Sequence, residues 1–157
     1  MSEQRRMQIT GLHHLTTIVS DMDRTIAFYR DLLGLAVVRD GASDDDPGTR
    51  HVWFGAADGA PGRLVSAMEY PQMQPAQQGL GSTHHFALAV DSAEELDAWR
   101  DYLRNQGVEC SEVLDRGAFR SLYLRDPDGH IVEIATRSPG LWSRPGESAT
   151  GAPGASA

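Results

Sequence analysis

The sequence predicts an α+β fold built from two tandem βαβββ units. Three observations predict it. Gly11-Leu-His-His-Leu-Thr-Thr-Ile-Val19 and Ser82-Thr-His-His-Phe-Ala-Leu-Ala-Val90 match one another, each reading as a strand that opens on a His-His doublet. Each is followed by apolar residues at helical spacing and then by three short apolar runs bounded by turn residues. Setting His14 on His85 also places Val19 on Val90, Phe28 on Trp99 and Leu32 on Leu103, so the likeness is an internal repeat.

Taken in order, the first unit (8–70) reads as a strand at 11–19, a helix over about 21–33, and strands near 35–40, 49–55 and 62–70. The second (82–137) reads as a strand at 83–90, a helix over about 92–106, and strands near 108–114, 119–125 and 130–136. Ser20-x-x-Asp23 and the capping box Ser92-Ala-Glu-Glu95 start the helices, and Gly34 and Gly107 stop them. Ile26, Tyr29, Leu32 and Leu33 form one apolar helix face; Leu96, Trp99 and Leu103 form the other. Asp126-Pro-Asp-Gly129 is a tight-turn signal just ahead of the last strand. Residues 71–81 read as a linker, and the tail 138–157 has little to bury and reads as disordered.

Composition excludes several function classes. Net charge is −8 with no basic run, which argues against a nucleic-acid partner. No stretch is apolar and long enough to span a bilayer, and the first seven residues lack the apolar core of a signal peptide, so a cytoplasmic protein with no membrane partner is expected. Cys110 is the only cysteine, which rules out an intrachain disulfide and a thiolate zinc cluster. All 14 basic residues are arginine, which removes Schiff-base chemistry and a P-loop.

The six histidines are His13, His14, His51, His84, His85 and His130, and four of them form the two doublets. Glu133 lies inside the apolar run Ile131-Val-Glu-Ile-Ala135. Two imidazoles and one carboxylate from different strands make the donor set that holds non-haem Fe(II) and leaves coordination positions open. Side chains two apart share a strand face, so His14 groups with Thr16 and Ile18, His85 with Ala87 and Ala89, and Glu133 with Ile131 and Ala135. If the two units pair their curved sheets about a pseudo-twofold axis, His14 and His85 face one metal cleft, with Glu133 entering from the last strand. The first unit's counterpart of Glu133 is Ser66, a poor ligand. Taken singly, each of these residues reads as structural; it is the repeat-equivalent placing of the doublets that favours a metal. His13 and His84 point to the opposite strand face, where packing and support of a ligand are equally open. His51 and His130 read as structural or surface residues. Trp53, Phe54, Phe86 and Trp99 read as core, and Trp142 as a candidate cap on the cleft.

Gly11-Leu-His-His, Phe28-Tyr29, Leu33-Gly34 and Asp126-Pro-Asp-Gly129 resemble the vicinal oxygen chelate superfamily, over residues 8–137. That group, whose hallmark is paired βαβββ units around a divalent metal, includes glyoxalase I, extradiol dioxygenases, bleomycin-binding proteins and fosfomycin-modifying transferases. Asp45-Asp-Pro-Gly-Thr49, His51-Val-Trp-Phe-Gly, Gly59-Ala-Pro-Gly62 and the run Asp115 to Pro127 are similar to the hydroquinone ring-cleaving dioxygenases. Those enzymes are about twice as long, with four units, of which this chain looks like the first and last.

The resemblance implies that His14, His85 and Glu133 are ligands to Fe(II), with Mn(II) as the other candidate. It also implies that Arg116 and Tyr123 face the substrate, with His13, Thr16 and His84 nearby. The activity implied is ring cleavage of a small hydroquinone- or catechol-like aromatic by O2, in a homodimer. Two other readings stay open: an O2-independent lyase or isomerase on Ni(II), Co(II) or Zn(II), and a protein that sequesters an aromatic antibiotic. Ser66 argues against the first, and the metal triad against the second.

Overall fold

The computed structural model describes residues 8–55 and 58–137. The chain divides into two compact units with the boundary between Pro75 and Ala76. The tail 138–157 and Trp142 lie outside the described residues.

The first unit runs β1 (His14–Val19), α1 (Met22–Ile26) with a π-helical continuation (Ala27–Leu32), β2 (Ala36–Ala42), β3 (Arg50–Gly55) and β4 (Leu64–Glu69). The second runs β5 (Phe86–Val90), α2 (Ala93–Asn105), β6 (Leu114–Asp115), β7 (Arg120–Arg125) and β8 (Ile131–Thr136). Each is a four-stranded sheet with one connectivity: β1-β4-β3-β2 and β5-β8-β7-β6. The first and last strands of each unit pair in parallel and the other neighbours antiparallel. This is the α+β, twin βαβββ architecture that the repeat predicts. Among the described residues no helix is long and apolar enough to cross a membrane.

Alternation along the strands sorts the faces. In the first unit Thr17, Val19, Val52, Phe54, Val65 and Ala67 are buried together with Met22, Ile26, Phe28 and Tyr29 of the helical segment. In the second, Leu122, Leu124, Val132 and Ile134 are buried with Leu96 and Leu103 of α2. His14, Thr16 and Ile18, like Ala87 and Ala89, lie on the other, exposed face of their strands.

Three details depart from expectation. The first helix is capped by Asp21, whose carboxylate accepts from Arg24 N–H at 3.0 Å, rather than by Ser20. Its second half widens to the π form, Leu33 N–H reaching Phe28 O at 3.0 Å, and the adjacent Phe28 and Tyr29 are both buried. The strand expected at 108–114 shrinks to Leu114–Asp115 and an isolated bridge from Cys110 to Leu124. The reason lies at Ser111, whose hydroxyl takes the Tyr123 N–H at 2.9 Å where a ladder carbonyl would accept it.

Gly55 closes β3 against the start of β4, and a Cβ there would meet Arg63 O at 2.5 Å. Gly55→Ala is therefore expected to destabilise the protein by about 1–3 kcal/mol in urea denaturation.

The turn before β8 is clamped. Asp126 Oδ1 accepts the N–H groups of Asp128 (3.0 Å) and His130 (2.9 Å), and Oδ2 meets His130 Nδ1 at 2.8 Å. That hydrogen bond, outweighing the opposing effect of burial, holds the His130 imidazole above its ordinary value. A raised value in the fold means that the pair stabilises fully below the unfolded histidine range and is lost as pH rises through the folded value. Wild-type stability is thus expected to fall between about pH 6 and 8 relative to that of His130→Ala, as read by denaturant titrations across that range. His130 is a structural residue, as its sequence context suggests.

Candidate metal centre

Glu133 sits in the middle strand β8, paired with Ala87 of β5 and Tyr123 of β7, and is 3 % exposed. A carboxylate buried between Val132 and Ile134 is costly unless cations or donors compensate it. Both its oxygens have partners. Tyr123 Oη donates to Oε1 at 2.8 Å, and His85 Nε2 lies 3.1 Å from Oε2. Arg116 extends the chain outward: its Nη2 donates to Tyr123 Oη at 3.3 Å, and its guanidinium lies 5.7 Å from the centre of the tyrosine ring. The His85 and Tyr123 rings meet edge to face with centroids 5.8 Å apart. The second unit therefore gathers four of the residues singled out in the sequence, His85, Glu133, Tyr123 and Arg116, into one connected group.

His84 adds a fifth contact. Its Nδ1 lies 2.8 Å from His85 Nδ1, with the rings nearly perpendicular. The doublet of the first unit repeats this arrangement, with His13 Nδ1 2.9 Å from His14 Nδ1. In both doublets the first imidazole engages Nδ1 of the second, which leaves the Nε2 atoms of His14 and His85 as the outward donors. Supporting contacts to the second nitrogen are the usual means of fixing a ligating histidine.

The strand register fixes the first unit's counterparts. Thr16 pairs with Ser66 in β1 and β4 as Ala87 pairs with Glu133 in β5 and β8, so Ser66 stands in the Glu133 position. Ser66 is fully buried and its hydroxyl is 2.8 Å from Thr16 Oγ1. A hydroxyl pair thus replaces the carboxylate, and the unit offers His14 as its one imidazole donor at this level. Trp53 pairs with Ser66 as Tyr123 pairs with Glu133.

Phe86 and Trp99 are half-buried rather than core, and Trp53 is not core either. Its ring lies between the His14 ring, centroids 4.7 Å apart, and the His51 ring, 4.9 Å apart. Phe54, on the other face, is core as expected. His51 Nε2 is buried without a hydrogen-bond partner, and burial, more than the nearby Arg39, lowers its imidazole below the usual value. His51 is half-buried, within its reading as a structural or surface residue, whereas the contact of Trp53 with His14 was not legible because loops of different length shift the repeat offset between β1 and β3.

The donor set suits a divalent cation. An imidazole nitrogen and a carboxylate oxygen 3.1 Å apart can serve one first-row ion, each standing about 2.0–2.2 Å from it. Among the described residues no three His, Cys, Asp or Glu side chains are gathered as a cluster.

Residues 11–134 match the glyoxalase/bleomycin resistance protein/dioxygenase superfamily. The chain belongs to that superfamily. Within it, the chain is 26% identical over 134 residues to the "Putative ring-cleaving dioxygenase MhqA" of Bacillus subtilis (strain 168), covering 85% of this chain and 42% of that protein. A crystal structure of a "putative dioxygenase" from Bacillus subtilis subsp. subtilis str. 168 superposes with a TM-score of 0.75 at 28% identity, over 81% of this chain and 40% of that one. The fosfomycin resistance protein FosX of Listeria monocytogenes, complexed with Mn(II) and sulfate, superposes with a TM-score of 0.60 at 25% identity, over 82% and 93%. The chain thus spans about two fifths of the dioxygenase-like proteins and nearly all of FosX. Members of this superfamily bind divalent metals, and the twin βαβββ architecture is theirs.

Proposed function

We propose that the protein is an Fe(II)-dependent ring-cleaving dioxygenase acting on a hydroquinone- or catechol-like aromatic, with His14, His85 and Glu133 as the metal ligands. The observation that carries the reading is the connected group His85–Glu133–Tyr123–Arg116 in the second unit, on a chain similar to MhqA. His14 is assigned as the third ligand because its doublet repeats the contacts of the His84–His85 doublet. Mn(II), the ion in the FosX structure, suits the same donors.

Held by His14, His85 and Glu133, Fe(II) would supply a Lewis-acid centre able to bind a phenolic oxygen and O2. The chain's own residues do the rest. Tyr123 Oη, its proton directed at Glu133 Oε1, is the atom placed to exchange a proton with a phenolic hydroxyl. Arg116, always charged, favours the phenolate form and holds a second oxygen of the ring. His13 and His84 orient the two ligand imidazoles through Nδ1. Thr16, tied to Ser66, presents a hydroxyl on the His14 face of β1. The working protein is a cytoplasmic homodimer without nucleic-acid or membrane partners.

The test is oxygen-electrode uptake by protein loaded anaerobically with Fe(II), across a panel of hydroquinones and catechols. Uptake coupled to loss of aromatic absorbance supports ring cleavage. Metal-loaded protein without uptake on any member overturns it and transfers the assignment to an O2-independent lyase or isomerase. Tight binding of an aromatic antibiotic that chelators leave unchanged marks a sequestering protein instead.

A further inference from the structure

The two units hold their doublet histidines by different means. In the second, Glu133 Oε2 lies 3.1 Å from His85 Nε2, and the Tyr123 ring meets the imidazole edge to face. In the first, Ser66 replaces the carboxylate and Trp53 replaces the tyrosine. β4 lies between β1 and β3, so Trp53 reaches His14 across β4, past the position of Ser66. Ser66 is fully buried and small, which leaves the indole room that a glutamate would fill. The His14 and Trp53 rings meet at 4.7 Å and 60°, closer than the 5.8 Å between His85 and Tyr123. Both separations lie in the range of about 4.5–7 Å over which aromatic pairs attract.

His51 backs the indole, with ring centroids 4.9 Å apart and planes inclined by 39°. It stands where Ser121 stands in the second unit: the two pair with Met68 and Ala135, which lie two residues beyond Ser66 and Glu133. Its Nε2 is buried without a hydrogen-bond partner, so at that edge the ring packs and does not bond. We propose that Trp53, backed by His51, is a positioning residue for His14, the stack of three rings holding the exposed imidazole with its Nε2 outward. The proposal rests on the assignment of His14 as a metal ligand. An exposed side chain loses rotamer freedom when it takes up a metal, and a ring already held in place loses less. Ring contact thus does for His14 part of what hydrogen-bonded partners do for most ligating histidines.

The experiment titrates the metal-free full chain with Mn(II) by calorimetry and follows urea denaturation of the same metal-free proteins. Trp53→Leu is expected to weaken Mn(II) binding about tenfold, and Trp53→Phe, which keeps a smaller ring, roughly two- to fivefold. His51→Leu keeps apolar bulk and removes the unpartnered nitrogen. It is expected to weaken binding roughly two- to fivefold while metal-free stability stays level or rises. A tryptophan that only packs would lower stability and leave the affinity of the folded protein as it was. Wild-type affinity in Trp53→Phe and His51→Leu overturns the proposal, even where Trp53→Leu does not fold. His14→Ala separates this failure from failure of the ligand assignment. Binding lost in His14→Ala but unchanged in the Trp53 and His51 variants keeps the ligand and overturns the positioning. Wild-type affinity in His14→Ala overturns both.

Discussion

Glu133→Gln is expected to abolish the thermal stabilisation that divalent metal should give the wild-type protein, while leaving the metal-free protein within about 1 kcal/mol of wild type or above it. The two halves of this expectation have different causes. Glu133 is 3 % exposed in a strand whose neighbours on both sides are apolar, so its charge costs free energy in the absence of a cation. Glutamine keeps the volume and an oxygen to accept the Tyr123 hydroxyl, and it removes that charge. It also removes the anionic donor. Metal at a hundred times its dissociation constant adds about 2.7 kcal/mol to a protein that binds it only when folded. For a chain of 157 residues this raises Tm by roughly 5–10 °C. Differential scanning fluorimetry with Mn(II) reads both halves. A Glu133→Gln protein that gains as much from metal as wild type contradicts the assignment of Glu133 as a ligand.

Tyr123→Phe separates chemistry from binding. The substitution deletes a single oxygen that donates to Glu133 Oε1 and accepts from Arg116. The ring is retained, and with it the edge contact to His85. At saturating metal and substrate, kcat is expected to fall by about 10²- to 10⁴-fold, the usual worth of a positioned proton-transfer group. Metal affinity is expected to weaken by about 10- to 100-fold, because a ligand carboxylate loses a partner that orients it. A tyrosine that merely packs would change neither constant, and its loss would show in stability alone. Steady-state O2 uptake with metal titrated independently distinguishes the two.

Much of this was legible in the sequence because the repeat ties local pattern to topology. The doublets, the helix stops at Gly34 and Gly107, and the Asp126-Pro-Asp-Gly129 turn each specify one place in the chain, and the second unit repeats the first. Ser66 as the counterpart of Glu133 follows from aligning Arg63-Leu-Val-Ser-Ala-Met68 with the last strand of the second unit and is borne out by the register. What was not legible turns on side chains that replace main-chain partners. Ser111 looks like an ordinary strand residue until its hydroxyl takes the Tyr123 N–H and dissolves the strand expected at 108–114. Asp21 outcompetes Ser20 as the helix cap, a choice of one residue that pattern does not resolve. Trp53 was assigned to the core because a bulky aromatic in an apolar run usually is. Its strand face, fixed by pairing with Ser66, turns it instead against His14.

On the proposed assignment, one metal ion is held by His14 together with His85 and Glu133. The most direct test is calorimetric titration of metal-free protein with Mn(II), comparing wild type with His14→Ala, His85→Ala and Glu133→Ala. One ion per chain is expected in the wild type, with loss of that site in all three variants, each still folded by circular dichroism. A folded His14→Ala protein that binds Mn(II) with wild-type affinity would contradict it, and would leave the site to His85 and Glu133 of the second unit.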